Sequence, residues 1–157
     1  MSELPINILN ILSQMHFADL CTVNAQKLPH ITPMFYFFHR ENSHITLLSQ
    51  LNSAKIRNIR TDSQVCLVID KRDPADPFNN EGIMVEGTAE IMIPQKNITQ
   101  DDFELTINQF KKRYPTMKDN TIDSLLTDCL LNVSSSKIIY WKGPNFSTIT
   151  LKLNSSE

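Results

Sequence analysis

Apolar positions along this chain recur at two spacings, and the switches between them mark its elements. Pro5–Gln14 sets Ile6, Ile8, Leu9, Ile11 and Leu12 on an amphipathic spacing that predicts a short helix. Phe17–Asn24 reads as a strand, Asn24–Lys27 as a polar turn, and His30–His39 as the second arm of a hairpin. Pro33 cannot donate to a ladder, so it predicts an edge or a bulge. Past the Arg40–Ser43 turn, His44–Ser49 reads as a third strand, and a short helix restarts at Ser53. Gln64–Asp70 is almost continuously apolar, as a buried strand is. Lys71–Glu81, with its Asp-Pro and Asn-Asn pairs, predicts a loop on the surface or serving as a lid.

Gly82–Ile93 alternates most cleanly, with Ile83, Val85, Ala89 and Ile91 on one face and Gly87 among them. A long alternating strand with an internal glycine predicts a bulge and suits a barrel. Thr99 predicts a helix cap, and Phe103, Ile107, Phe110 and Tyr114 form the apolar stripe behind it. A weaker helix is predicted over Ile122–Leu131, then strands over Ser136–Lys142 and Phe146–Leu153. About seven strands joined mostly by short turns predict an α+β, mainly β, antiparallel barrel with peripheral helices.

Composition narrows the function classes. The 157 residues suit one domain, 1–157, and 41% hydrophobic with 20% charged residues describes a globular chain. A formal net charge of −2 argues against nucleic acid as partner. No apolar run reaches membrane-spanning length, and the first residues lack a signal-peptide pattern, so a cytoplasmic location is expected. Cys21, Cys66 and Cys129 form no C-x-x-C and are expected to be buried, reduced thiols. Three glycines and no Gly-rich phosphate motif exclude the common nucleotide-binding loops.

The stretch Leu47–Arg60 carries the candidate chemistry. A strand runs into a helix start at Ser53, where a hydroxyl cap and early unpaired N–H groups are expected, with Lys55 in the first turn and Arg57 and Arg60 behind it. Such a start, with Ser49 beside it, suits a phosphate. Taken alone, the stretch reads more readily as a surface turn with solvated cations, since short basic helices are common. His30 reads as a surface histidine, Thr32 and Met34 as one strand face, and Trp141 as a core or interface anchor.

Taken together, P-H-I-T-P (Pro29–Pro33), L-L-S-x-x-x-S-A-K-I-R-N-I (Leu47–Ile59), Val65–Asp70, G-I-M-V-E-G-T-A-E-I (Gly82–Ile91), Tyr114-Pro115 and Tyr140–Gly143 resemble the pyridoxamine 5′-phosphate oxidase-related split β-barrel flavoproteins. The resemblance spans Phe17 to Gly143. It implies a six-stranded split barrel, with residues 1–15 an N-terminal helix and 99–131 a helical insertion. It also implies a homodimer with FMN in clefts between the subunits, and a small-molecule substrate. Relatives on the same fold use the deazaflavin F420 or haem, and a non-catalytic flavin-binding dimer is a further possibility. By the same resemblance, Ser49, Ser53, Ala54 and Lys55 occupy phosphate-binding positions. His30, Thr32, Pro33 and Met34 run beside the flavin, Leu48 lines its cleft, and Trp141 reaches the flavin of the other subunit; the alternation of Thr32, Met34 and Tyr36 can offer the ring an apolar wall with polar edges. Two departures stand out. Ala54 replaces a basic residue, and Phe146–Leu153 lacks the arginines that hold a substrate phosphate. No acid, base or nucleophile constellation is legible.

Overall fold

A computed structural model describes residues 4–116 and 127–151. Its elements run α1 (Ile6–Gln14), β1 (Phe17–Val23), β2 (Pro29–His39), β3 (His44–Ser49), α2 (Ala54–Thr61), β4 (Gln64–Lys71), β5 (Glu81–Met92), α3 (Gln100–Arg113), β6 (Cys129–Lys142) and β7 (Asn145–Thr150). The sheet order is β3-β2-β1-β4-β5-β6-β7, every pairing is antiparallel, and a β3–β6 ladder closes the first six strands into a barrel. β6 makes this possible by dividing one edge. Cys129–Ser134 pairs with β3, and Lys137–Lys142 pairs with β7.

Alternation decides the inside. Ala18, Leu20, Met34, Tyr36, Ile45, Leu47, Val65, Leu67, Ile69, Ile83 and Val85 are buried together in the barrel core. Their strand neighbours turn outward. Gly87 sits where the β5–β6 register shifts, as its place in the sequence predicts. A Cβ there would come within 2.1 Å of the Ser134 carbonyl oxygen, so the backbones can cross only at glycine. The β2–β3 ladder ends at Tyr36↔Leu47, which leaves Pro33 on an edge, where a residue without N–H is tolerated.

The helices close the barrel from outside. Tyr36 Oη lies 2.9 Å from the carbonyl oxygens of Leu12 and Met15, and Arg113 donates to Met15 O at 2.6 Å. The two side chains thus satisfy the carbonyls that the end of α1 leaves open. Tyr114 bridges this knot to β2 through the Tyr36 backbone, 2.6 Å from the carbonyl and 3.2 Å from the N–H. A second cluster, Leu48, Phe103, Phe110, Tyr114 and Leu130, packs α3 on the outer face of β2, β3 and β6.

Two expectations change. Cys129–Leu131, read as the end of a helix, begin strand β6, Thr127 and Asp128 before them are irregular, and residues 122–126 of that predicted helix lie outside the described residues. Apolar residues at this density satisfy either period, and pairing to β3 on one side and β5 on the other selects the strand. Tyr36, read as a wall of the flavin cleft, is fully buried inside the barrel.

Candidate functional site

Ser49 is the last residue of β3 and shares the inward parity of Ile45 and Leu47, so its side chain is carried to the barrel's end and buried. The chain then turns tightly, with Ser53 N–H donating to Gln50 O at 3.1 Å, and α2 begins at Ala54. The start of β6 pins this turn. Asp128 accepts from Leu51 N–H at 2.6 Å, and its own N–H donates to Ser49 O at 3.2 Å.

Ser53 occupies the N-cap position but does not cap: its side chain makes no hydrogen bond to the helix. The hydroxyls of Ser49 and Ser53 are both buried and make no well-formed hydrogen bond among the described residues, the Cys129 thiol being the polar group beside Ser49. Buried polar groups without partners are uncommon in proteins, and each costs on the order of 1–3 kcal/mol. Lys55 lies in the first turn of α2, half-buried, and no carboxylate pairs with it among the described residues. Burial pushes its pKa down, and the Cys129 thiol nearby pulls the other way. The first turn of α2 holds no acid, and its leading N–H groups have no acceptor within the helix. Two orphan hydroxyls, an uncompensated ammonium and a helix start form a cradle for an anion.

Cys129 pairs with Ser49 on the β3–β6 ladder and forms the cradle's floor. Burial pushes its thiol up to about 12, with Asp128 adding to the rise, while Ser49 and Lys55 act against it. Neither Cys129 nor Asp128 is legible as a site residue in the sequence, because the segment carrying them reads as helical.

The candidate residues divide by place. Ser49, Ser53, Ala54 and Lys55 come together in the cradle. The β2–β3 ladder stops at Tyr36↔Leu47, two residues before Ser49 on β3 and two after Met34 on β2. Asn58 of α2 donates to Thr22 Oγ1 at 3.0 Å, and that hydroxyl lies 3.5 Å from His30 O, which ties helix and strand together. His30 and Pro33 are exposed and Thr32 half-exposed at this end, whereas Met34 points into the core. Leu48 turns to the opposite face of β3, into the cluster under α3. Trp141 packs beside Gly82 and Phe146, at the other end of β6. It lies twelve residues along the strand from Cys129, roughly 40 Å. Within one chain, Trp141 and the cradle do not meet. No group of three or more His, Cys, Asp or Glu side chains forms a metal site among the described residues.

Residues 4–135 match the family model described as pyridoxamine 5′-phosphate oxidase. No curated protein sequence matches. Among solved structures, General Stress Protein 26 from Bacillus anthracis is 20% identical, with 93% of this chain and 97% of that one covered at a TM-score of 0.64. HutZ, the haem storage protein of Vibrio cholerae, is 17% identical over 85% and 90%, at 0.66. A haem-binding protein from Mycobacterium smegmatis is 13% identical, and the alignment spans 94% of this chain but 59% of that one, at 0.71. At these identities the solved structures share the fold.

Proposed function

The chain belongs to the pyridoxamine 5′-phosphate oxidase family, and from that premise we propose that it binds FMN at the interface of a homodimer and serves as an oxidoreductase on a small molecule. The observation that carries this reading is the pair of buried, unpartnered hydroxyls, Ser49 and Ser53, beside the half-buried Lys55. A terminal phosphate dianion would accept from both hydroxyls and from the α2 N–H groups, and would neutralise the ammonium. Bound flavin would supply the hydride chemistry. The chain's own part is to fix the phosphate, to lay the exposed edge of β2 from His30 to Pro33 beside the cofactor, and to exclude water. Ile31, 65% exposed, and Phe146, 70% exposed, offer apolar surface for a partner subunit. Such an interface is expected to bury on the order of 2,000 Å² or more.

Haem-binding relatives and deazaflavin enzymes share this fold, and the absorption spectrum of the purified protein separates flavin from haem. The decisive experiment titrates the apo-protein with FMN and with riboflavin, which lacks the phosphate. Lys55→Ala is expected to weaken FMN about tenfold to hundredfold, the loss of a charge-assisted contact worth roughly 1.5–3 kcal/mol. Riboflavin affinity is expected to change little. Equal losses for both ligands would mean that Lys55 only supports the fold. Absence of FMN binding by the wild type would overturn the assignment.

A further inference from the structure

All three cysteines are free thiols, but they are not equivalent. Cys129 belongs to the cradle. Cys21 and Cys66, well separated in sequence, are direct partners on the β1–β4 ladder. Their neighbours Leu20, Thr22, Val65 and Leu67 are buried on the inner face, so both thiols lie on the outer wall, half-buried. Directly opposed residues of an antiparallel pair sit about 4.5–5.5 Å apart at Cα. That lies inside the roughly 4.4–6.8 Å that a disulfide spans at Cα, so the ladder brings the two thiols within bonding range. The row continues across the sheet through Glu86 to Lys137, which are joined by an ion pair of 2.7 Å.

We propose that Cys21 and Cys66 are a redox modification site, closing reversibly to a cross-strand disulfide under a peroxide oxidant. One thiolate attacks the peroxide, the O–O bond breaks, and a sulfenic acid and hydroxide form, the hydroxide taking the proton the thiol released to give one water. The second thiol attacks that sulfur, the S–O bond breaks, and the disulfide and a second water form. Two thiols lose two electrons and two protons, and the peroxide takes up both. Burial, with Cys21 and Glu86 adding and Lys137 opposing, pushes the Cys66 thiol up to about 11, so closure accelerates with pH through the alkaline range. The bond would enclose β2, β3 and α2, the segments that carry every residue of the anion cradle except Cys129. Closing that loop restricts the chain's opened states and makes local unfolding of α2 rarer.

The test needs no cofactor, so its outcome is independent of the flavin reading. Full-length protein is treated with hydrogen peroxide, and intact mass and peptide maps are recorded. The expected result is loss of the mass of two hydrogen atoms, a linked Cys21–Cys66 peptide pair, and recovery with dithiothreitol. Cys21→Ser and Cys66→Ser are each expected to abolish the linked pair. Amide exchange across α2 is expected to slow in the oxidised form. The proposal is overturned if Cys21 and Cys66 stay unlinked at peroxide levels that oxidise them in urea. It is also overturned if the bond joins Cys129 or two chains, or if α2 exchange is unchanged.

Discussion

A serine that ends a strand and a serine that begins a helix should each find a partner, and here neither does. Ser49 and Ser53 keep buried hydroxyls without a well-formed hydrogen bond among the described residues, with only the Cys129 thiol beside Ser49, although Ser53 stands where a cap normally forms. Replacing an unpartnered buried hydroxyl by a methyl group removes a desolvation cost, so Ser49→Ala and Ser53→Ala are expected to leave the melting temperature unchanged or raised. Each is expected to weaken FMN about threefold to thirtyfold if the hydroxyls serve the phosphate. Calorimetry beside fluorescence titration separates the two effects, and a loss of stability in both variants would mark the serines as structural. Lys55 adds a pH dependence. Its pKa is lowered below 10.5 by burial, and phosphate needs the ammonium. FMN affinity should therefore hold below the lowered value and fall as pH rises through it, before an ordinary lysine titrates. In that same window the unfolded chain holds more protons, so this group's contribution to ligand-free stability rises with pH. The Ser49, Ser53, Lys55 spacing was legible in the sequence. The failure of the cap was not, because φ, ψ and side-chain direction at Ser53 are set by the Gln50–Asn52 turn and its anchor at Asp128.

At the scale of elements, the barrel depends on the short β3–β6 seam, and beyond the Leu48–Leu130 pair under α3 the outer face of that seam is polar. Thr46 faces Asn132 and His44 faces Ser134 in register. His39 Nε2 lies 3.0 Å from Thr46 Oγ1, which donates to Asn132 Oδ1 at 3.4 Å. Asn132 Nδ2 lies 3.2 Å from His44 Nδ1, and His44 Nε2 lies 3.3 Å from Ser134 Oγ. Donors and acceptors fit in one direction when both imidazoles are neutral and protonated at Nε2. Burial lowers the His39 pKa below 6.5, Glu41 opposes this, and His44 adds to it. The unfolded state thus takes up the proton first. The stability tied to neutral His39 is complete above pH 6.5 and falls as pH drops towards the folded value. Denaturant midpoints against pH should show that slope, and His39→Gln should flatten it. β7 gives a second expectation. It carries no arginine, so oxidation of pyridoxine or pyridoxamine 5′-phosphate is expected to be negligible, even with added FMN. Strand alternation was readable wherever one face met the core, as in β5. It failed in β6, where Cys129–Leu131 are buried on both faces and periodicity loses its meaning.

Over the whole molecule, the cradle and Trp141 occupy opposite ends of β6, a separation that only the family resemblance, which assigns Trp141 to the other subunit's flavin, hints at. Spacing along a chain carries no sign of which end of a barrel a residue reaches. If both belong to one cofactor site, the site must draw on two copies of the chain. Light scattering should then find a dimer at micromolar concentration, and a stable monomer would remove the shared site. Mixing two defective chains gives a sharper test. Lys55→Ala spoils the cradle and Trp141→Ala spoils the flank, so each homodimer carries two damaged sites. In a mixed dimer with sites shared between subunits, one site collects both lesions. The other pairs the intact Lys55 of one chain with the intact Trp141 of its partner. Refolding the two variants together should therefore restore wild-type FMN affinity in about half of the sites of each mixed dimer. Sites built within single chains would instead leave every one damaged, and mixing would recover nothing.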